Sequence, residues 1–240
     1  MTIEQTPGIS DPEAFRSPFE VEFKDVDVAH TLLIIKGVGL HIEGMDCVGK
    51  TAAVNELEKI TLIARRHRVL TIDNPYISTF RELQSRYAWN SEEVTRALLD
   101  AIKYDINNYH PTSGNFVQES TLITKGFAMR LVEGMSKITL SEYEELLAIH
   151  PKFHESVYMV VDDDVRKERF RSKIKSGAKI TRNDMMIAED LRRFKKIDDV
   201  MRSIVRIAFH GYVLDTSKMT PVEIANAINI FSNAKGVTNE

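Results

Sequence analysis

Two kinds of apolar pattern alternate along the chain from Thr31 onward. Short continuous apolar runs, such as "TLLIIK", "GLHIEG" and "SVYMVV", are typical of strands buried in a parallel sheet. Between them lie longer segments whose apolar residues recur every three or four positions, which is typical of amphipathic helices. The alternation predicts an α/β fold, in which helices cover both faces of a mostly parallel sheet.

The individual elements follow from this pattern and from its start and stop signals. Strands are predicted at about residues 31–36, 39–44, 68–72, 115–119, 156–161 and 211–217. Helices are predicted at about residues 50–65, 91–104, 121–132, 141–149, 164–175 and 184–209, with a final helix from Pro221. Ser141 with Glu144, and Thr220 with Glu223, are predicted to form capping boxes.

The first thirty residues are predicted to lie outside this alternation. Pro7, Pro12 and Pro18 stand among polar and acidic residues, which predicts a poorly ordered arm. Within the arm, "FEVEF" alternates apolar and acidic residues like an edge strand. The 240 residues are therefore predicted to comprise an N-terminal arm or edge strand at 1–30 and one domain at 31–240.

Composition narrows the classes of function. A formal net charge of −3 argues against a chain that binds polyanions through its overall charge. The single cysteine rules out an intramolecular disulfide. Because the sequence shows neither a secretory signal nor an apolar run long enough to span a bilayer, we expect a cytoplasmic protein without a membrane partner.

One stretch carries a specific motif. Gly44, Gly49, Lys50 and Thr51 satisfy G-x-x-x-x-G-K-[ST] between a predicted strand and a predicted helix, which is the context that a phosphate-binding loop requires. In such a loop, backbone N–H groups point at phosphate oxygens, the lysine reaches the β- and γ-phosphates, and the hydroxyl binds Mg²⁺. The motif predicts ATP and Mg²⁺ as cofactors. The predicted ATP-binding loop consists of Gly44, Met45, Asp46, Cys47, Val48, Gly49, Lys50 and Thr51.

Two acidic residues follow predicted strands beside this loop. Asp73 ends the strand at 68–72, and Glu119 ends the strand at 115–119. An acid at such a place can hold Mg²⁺ or orient an acceptor oxygen. Glu119 could instead only favour a helix N-terminus, and Asp73 could belong to an Asp-Asn-Pro turn. We predict that Thr51 and Glu119 are metal ligands and that Asp73 contacts the acceptor. Glu119 and Asp73 are both predicted to be catalytic residues.

A basic cluster follows the strand at 156–161. It suits a helical lid, at about residues 166–184, that closes over phosphates and stabilises charge in the transition state. A solvated basic face and a contact for a nucleic-acid backbone are the alternatives. The members of the cluster are Arg166, Lys167, Arg169, Arg171, Lys173, Lys175, Lys179 and Arg182.

The segment "IEGMDCVGKT" resembles the phosphate loop of thymidylate kinases and of their deoxynucleoside kinase relatives. "VDDDVRKERFRSK" and "TRND" are similar to the segments that form the lid of these kinases. "VLDTSKMTPVEI" is similar to their last strand and helix, whose connecting turn lies near the adenine. The resemblance implies a three-layer P-loop NTPase fold with a helical lid. It also implies catalytic roles for Lys50, Arg169 and Arg182, and ATP contacts from Asp215, Thr216 and Ser217.

The chain departs from this family at two places. Thymidylate kinases carry Arg-Glu-Pro-Gly-Gly after the second strand, where this chain has residues 72–76, "IDNPY". They carry Asp-Arg-Tyr after the third strand, where this chain has Glu119, Ser120 and Thr121. Both missing arginines face the acceptor or its phosphate in the family. A monophosphate acceptor favours arginines in the site, whereas a sugar hydroxyl favours a carboxylate base.

The predicted function is the transfer of the γ-phosphoryl group of ATP to a nucleotide, with a (deoxy)nucleoside monophosphate as the favoured acceptor. Three alternatives stay open. They are a nucleoside kinase that phosphorylates a sugar hydroxyl, a kinase that acts on a modified base in DNA, and a P-loop NTPase switch. The expected partner is a small nucleotide or nucleoside, and nucleic acid and a second copy of the chain are further candidates.

Overall fold

The computed structural model of the protein describes residues 39–60, 65–68, 74–87, 91–108, 116–134, 137–150, 153 and 155–234. In chain order these residues form β1 (Leu40–Glu43), α1 (Lys50–Ile60), β2 (Arg65–Arg68), α2 (Pro75–Arg86), α3 (Glu92–Asn108), β3 (Phe116–Glu119), α4 (Leu122–Glu133), α5 (Lys137–Ile149), β4 (Glu155–Val160), α6 (Asp163–Lys175), α7 (Arg182–Glu189), α8 (Leu191–Ala208), β5 (Tyr212–Asp215) and α9 (Pro221–Ala234). The predicted arm at 1–30 and the predicted strand at 31–36 lie outside the described residues.

The described strands form one sheet of five parallel strands in the order β2-β3-β1-β4-β5. β1 lies at the centre, where Leu40 pairs with Val117 of β3 on one side and with Glu155 of β4 on the other. Because all strands run in the same direction, their carboxyl ends meet at one edge of the sheet. The glycine loop after β1 and Glu119 at the end of β3 therefore lie at the same edge.

Helices cover both faces of this sheet. Successive residues of a strand point to opposite faces. Accordingly, Tyr158 of β4 packs in the core that contains α3, α4 and α8, whereas Val157 and Met159 pack in the core that contains α1 and α9. This arrangement confirms the predicted three-layer α/β fold. Within the described part of the chain, no helix is long and apolar enough to cross a membrane.

The boundary between α1 and β2 differs from the prediction. Among the described residues α1 extends to Ile60 and a strand lies at Arg65–Arg68, so Arg65, the predicted last residue of the helix, belongs to a strand that begins before residue 68. Apolar periodicity extends the predicted helix into residues that the backbone uses for pairing, since Arg65 to Arg68 pair with Phe116 to Glu119 of β3. Residues 69–73, which include Asp73, lie outside the described residues.

The apolar pattern does not predict α2, because the residues at its start also form a turn signal. Asn74 is its N-cap: its side-chain oxygen accepts a hydrogen bond from the Tyr76 N–H at 3.0 Å, and Pro75 occupies the first helical position. The Asn74 amide also donates to the Ala101 carbonyl and to Asp105 Oδ1, both at 2.8 Å. These contacts attach the start of α2 to α3.

Two other helix boundaries are wrong in the prediction. α5 begins at Lys137, so Ser141 and Glu144 lie inside the helix and form no capping box. The predicted helix at 184–209 is interrupted at Asp190, whose φ of −148° and ψ of 68° end α7. The Asp190 carboxylate accepts from the Arg193 N–H and so begins α8. The capping box predicted before α9 is confirmed, since Thr220 and Glu223 exchange hydrogen bonds.

Candidate phosphate-binding site

The loop between β1 and α1 has the backbone that its glycines predict. Gly44 has φ of +147° and Gly49 has φ of +100°, conformations that residues with a side chain rarely adopt. A Cβ atom at Gly44 would also lie 2.7 Å from the Met159 carbonyl oxygen. Cys47 adopts a positive φ of 65° without being glycine. These turns bend the chain around a concave surface at the N-terminus of α1, which is a favourable place for an anion.

Lys50 extends back over this loop from the first position of α1. Its Nζ donates to the Gly44 carbonyl at 2.6 Å and to the Met45 carbonyl at 3.0 Å. Burial lowers the pKa of Lys50, while the nearby Asp46 and Glu43 carboxylates act in the opposite direction. The ammonium group therefore lies within the curve of the loop, where the motif predicts it.

Glu43, the last residue of β1, anchors both the loop and the neighbouring helix. Its fully buried carboxylate accepts from the Gly44 N–H at 3.0 Å and from the Thr121 N–H at 2.9 Å. His41 Nε2 lies 3.5 Å from the same carboxylate. Burial acts to raise the pKa of Glu43, but His41 and Lys50 outweigh it and lower the pKa. An ionised carboxylate thus fixes the start of the loop relative to α4.

Glu119 and Thr51 meet at the mouth of the loop. Thr51 lies in the first turn of α1, and its hydroxyl donates a hydrogen bond to Glu119 Oε1. Glu119 is 7% exposed. A hydroxyl and a carboxylate are both hard oxygen ligands of the kind that Mg²⁺ prefers. The predicted metal ligands Thr51 and Glu119 are therefore adjacent, which fits a magnesium site.

Arg169 of α6 ties the loop to the turn after β5. Its Nη1 donates to the Val48 carbonyl at 2.7 Å, and its Nη2 donates to the Thr216 carbonyl at 2.8 Å. The buried Thr216 hydroxyl also donates to Val48, at 3.1 Å. Arg169 therefore joins the two segments that were predicted to bind ATP.

Arg166 and Lys125 contact the loop at Asp46. Arg166 is 2% exposed, its Nη1 donates to the Asp46 carbonyl at 3.0 Å, and its guanidinium lies 4.7 Å from the centre of the Phe194 ring. Lys125 of α4 donates to the Asp46 carboxylate at 2.9 Å. The loop is thus supported by cations from two helices.

The predicted lid contacts the loop through Asp184. This carboxylate is fully buried and accepts from Lys173 at 2.7 Å and from the Thr181 hydroxyl at 2.7 Å. The Cys47 thiol donates to it at 3.6 Å. Burial and the Asp184 charge raise the pKa of the Cys47 thiol to about 11. The link connects α6, α7 and the glycine loop.

A cleft of about 520 Å³ opens in front of these groups. The loop residues line it together with Glu119, Arg169 and Lys173, and the apolar residues Met219 and Ile224 line it near the start of α9, which we call its apolar end. A cleft with a cationic and an apolar end suits a molecule that combines phosphates with a flat apolar ring.

Seven of the fifteen predicted site residues line this cleft, namely Asp46, Cys47, Gly49, Lys50, Thr51, Glu119 and Arg169. Met45, Val48 and Thr216 are buried. Asp215 and Ser217 bond to each other, since the Ser217 hydroxyl donates to Asp215 Oδ1 at 2.6 Å. Asp73 and the side chain of Arg182 lie outside the described part of the chain. The catalytic and binding roles stay predictions.

Sequence reasoning missed Lys125, Glu43 as an anchor, and the buried position of Arg166. Glu43 directly precedes the first glycine, so its place at a strand end was a usable signal. Lys125 lies in an apolar helix where a single lysine is unusual, but its contact with Asp46 spans 79 positions. No local pattern identifies such a contact.

Comparisons with known proteins agree with this architecture. No protein-family model matches the sequence, and no curated protein matches it significantly. Thymidylate kinase from Candida albicans is similar in structure, with a TM-score of 0.63 and 15% identity over 84% of this chain and 93% of that chain. Deoxyadenosine kinase from M. mycoides with bound dATP has a TM-score of 0.56 and 14% identity, over 81% and 99% of the two chains. The chain therefore has the P-loop fold of these kinases, as its resemblance to them implied.

Proposed function

We propose that this chain transfers the γ-phosphoryl group of ATP to a (deoxy)nucleoside monophosphate. The observation that carries the proposal is the contact between Thr51 and Glu119 at the mouth of the loop. P-loop enzymes hold Mg²⁺ with a loop hydroxyl and a strand-end acid, and these two residues fit that pair. When bound, Mg²⁺ neutralises charge on the β- and γ-phosphates.

The side chains around the cleft support a division of labour in this reaction. The loop N–H groups bind the β-phosphate, and Lys50 exchanges its carbonyl partners for phosphate oxygens. An oxygen of the acceptor phosphate forms a bond to the γ-phosphorus, while the bond to the β–γ bridging oxygen breaks and ADP leaves. The attacking oxygen is already anionic, so the step needs no base. The transfer step requires that the two substrates are positioned and that negative charge on the phosphates is neutralised. Lys50 and Lys173 supply the positive charge.

The apolar end of the cleft supports a site for the adenine. Met219 and Ile224 line that end, and Thr216 is joined to the loop by Arg169. Two of the similar structures are a thymidylate kinase and a deoxyadenosine kinase, which supports a nucleotide or nucleoside as the acceptor. The choice of a nucleoside monophosphate follows from the resemblance of the glycine loop to that of thymidylate kinases.

The test is transfer of ³²P from γ-labelled ATP with Mg²⁺ to a panel of acceptors. The panel contains nucleosides, nucleoside monophosphates, and oligonucleotides with and without modified bases. We expect label on a monophosphate, loss of label with Lys50→Ala, and no loss with Lys103→Ala, which changes an exposed lysine of α3.

Each other outcome points to a different function. Label on a nucleoside or an oligonucleotide would replace the monophosphate with a hydroxyl acceptor, for which the reaction requires a carboxylate base. Release of free phosphate alone, dependent on Lys50, would support an NTPase switch. Absence of both transfer and hydrolysis would contradict an enzymatic function.

A further inference from the structure

Lys125 brings a third ammonium group to the glycine loop, beside those of Lys50 and Lys173. It lies in the second turn of α4, after the N-cap Thr121, and its Nζ donates to Asp46 Oδ2 at 2.9 Å. Its side chain is 23% exposed. The side chain is therefore mostly covered, and its ammonium group lies against the carboxylate of a loop residue.

Asp46 and Lys125 are both charged in this position. Burial acts to raise the pKa of Asp46, but Lys125 and Lys50 outweigh it and lower the pKa to about 2. Burial also acts to lower the pKa of Lys125, but Asp46 outweighs it and raises the pKa. An ammonium group has three N–H donors, of which Asp46 accepts one. Lys125 can therefore neutralise the loop carboxylate and bind an anion at the same time.

Lys125 approaches the loop from the face of the sheet opposite to the apolar end of the cleft. α4 packs in the core that contains Tyr158, whereas Ile224 of α9 packs in the core that contains Met159. In phosphoryl transfer the attacking and leaving oxygens lie roughly in line through the transferred group. If the base of ATP occupies the apolar end, the acceptor lies on the side of Lys125.

We infer that Lys125 binds the phosphate of the acceptor and makes this site select monophosphates over nucleosides, an inference that rests on the proposed kinase function. Asp46 orients the ammonium group toward the loop. Ser120 is uncharged at the position where thymidylate kinases carry an arginine, and in this inference Lys125 supplies the cation near the start of α4. A lysine reaches this point from α4 because Thr121 and Glu43 fix the start of that helix.

Binding without ATP tests this inference directly. Titration calorimetry would compare dTMP, dCMP, dAMP and dGMP with the four matching nucleosides, for the wild type and for Lys125→Met. We expect Lys125→Met to weaken binding of the preferred monophosphate by at least about tenfold, because a charge-assisted contact is lost. Binding of the nucleoside should change by less than about twofold. Lys125→Arg should retain more affinity than Lys125→Met, and Lys103→Met should match the wild type.

A double variant separates phosphate binding from mere neutralisation of Asp46. If Lys125 served only to neutralise the carboxylate, then Asp46→Asn combined with Lys125→Met would regain the affinity of the wild type. We expect the double variant to stay as weak as Lys125→Met for the monophosphate. Recovery in the double variant, or equal losses for monophosphate and nucleoside, would overturn the inference.

The same measurements distinguish this inference from the proposed function. A wild type that phosphorylates monophosphates, with a Lys125→Met variant of equal affinity, would overturn the role of Lys125 alone. A wild type that neither binds nor phosphorylates any monophosphate would overturn both.

Discussion

Thr51 donates a hydrogen bond to Glu119 although 68 positions separate the two residues in the chain. Thr51 lies in the first turn of α1 and Glu119 ends β3, so their contact depends on the pairing of β1 with β3. The pairing places the end of β3 beside the loop, where Ile42 pairs with Glu119. The strand order thus creates the oxygen pair on which the proposed magnesium site depends.

Glu119→Gln should therefore weaken the binding of Mg²⁺ more than it affects folding. The amide keeps the size of the side chain but removes its charge, so we expect the Mg²⁺ concentration at half-maximal activity to rise about 10–100-fold. Phosphoryl transfer at varied MgCl₂ measures this shift. Thr51→Ser should retain most activity, and the exposed Glu93→Gln is the matched control. An unchanged Mg²⁺ dependence would remove Glu119 from the metal site.

Gly44→Ala should disrupt the loop, because its Cβ would lie 2.7 Å from the Met159 carbonyl at φ of +147°. Gly134 also has a positive φ, but nothing lies within 4 Å of its Cβ position. We expect Gly134→Ala to lower the free energy of unfolding by about 1 kcal/mol and Gly44→Ala to lower it by more, with loss of ATP binding. Urea unfolding and nucleotide titration measure both effects. Equal effects of the two changes would contradict the steric argument.

Arg169→Ala should weaken ATP binding because it releases the loop from the turn at Thr216. Two hydrogen bonds of a guanidinium to backbone carbonyls are lost, so we expect KM for ATP to rise about tenfold or more. Arg171 lies in the same helix with 64% of its side chain exposed. Steady-state kinetics of Arg171→Ala should therefore match the wild type. The prediction fails if the two variants have the same KM for ATP.

Asp105→Asn should stabilise the protein at neutral pH. Burial raises the pKa of Asp105 to about 6, although the Asn74 amide acts to lower it. The folded state therefore holds a proton that the unfolded state releases near pH 4, and the free energy of unfolding falls as pH rises from about 4 to about 6. The asparagine has no such loss, so its advantage should grow to about 1–2 kcal/mol by pH 7. Thermal unfolding at pH 4.5 and pH 7.5 tests this, and a constant difference between the two proteins would contradict it.

The sequence predicted those features that depend on neighbouring residues. The motif at Gly44 to Thr51 combines turn, cation and hydroxyl within one short stretch, so its geometry followed from local preferences. The capping box of Thr220 and Glu223 is equally local, and the structure confirms it. The alternation of apolar patterns also predicted the layers of the fold, since burial requires each pattern to face a neighbour.

The remaining features depend on contacts that the chain makes only when folded. Asn74 and Pro75 can end a strand or begin a helix, and the choice is made by the bonds of Asn74 to α3. Asp190 interrupts a continuous amphipathic pattern that nothing else in the local sequence divides. Arg166 belongs to a basic cluster in the sequence, yet it alone of the cluster's described side chains is almost completely buried. Charge and periodicity cannot distinguish it from exposed neighbours such as Arg171.

The position of Cys47 gives this chain a built-in chemical probe. The sequence contains one cysteine, and that thiol lies in the glycine loop beside Asp184. With a pKa of about 11, only about one molecule in a thousand carries the thiolate at pH 8, so alkylation is slow. Labelling by iodoacetamide can therefore mark this loop at a single atom. The labelling rate reports directly on how nucleotides cover the loop, without any engineered reporter.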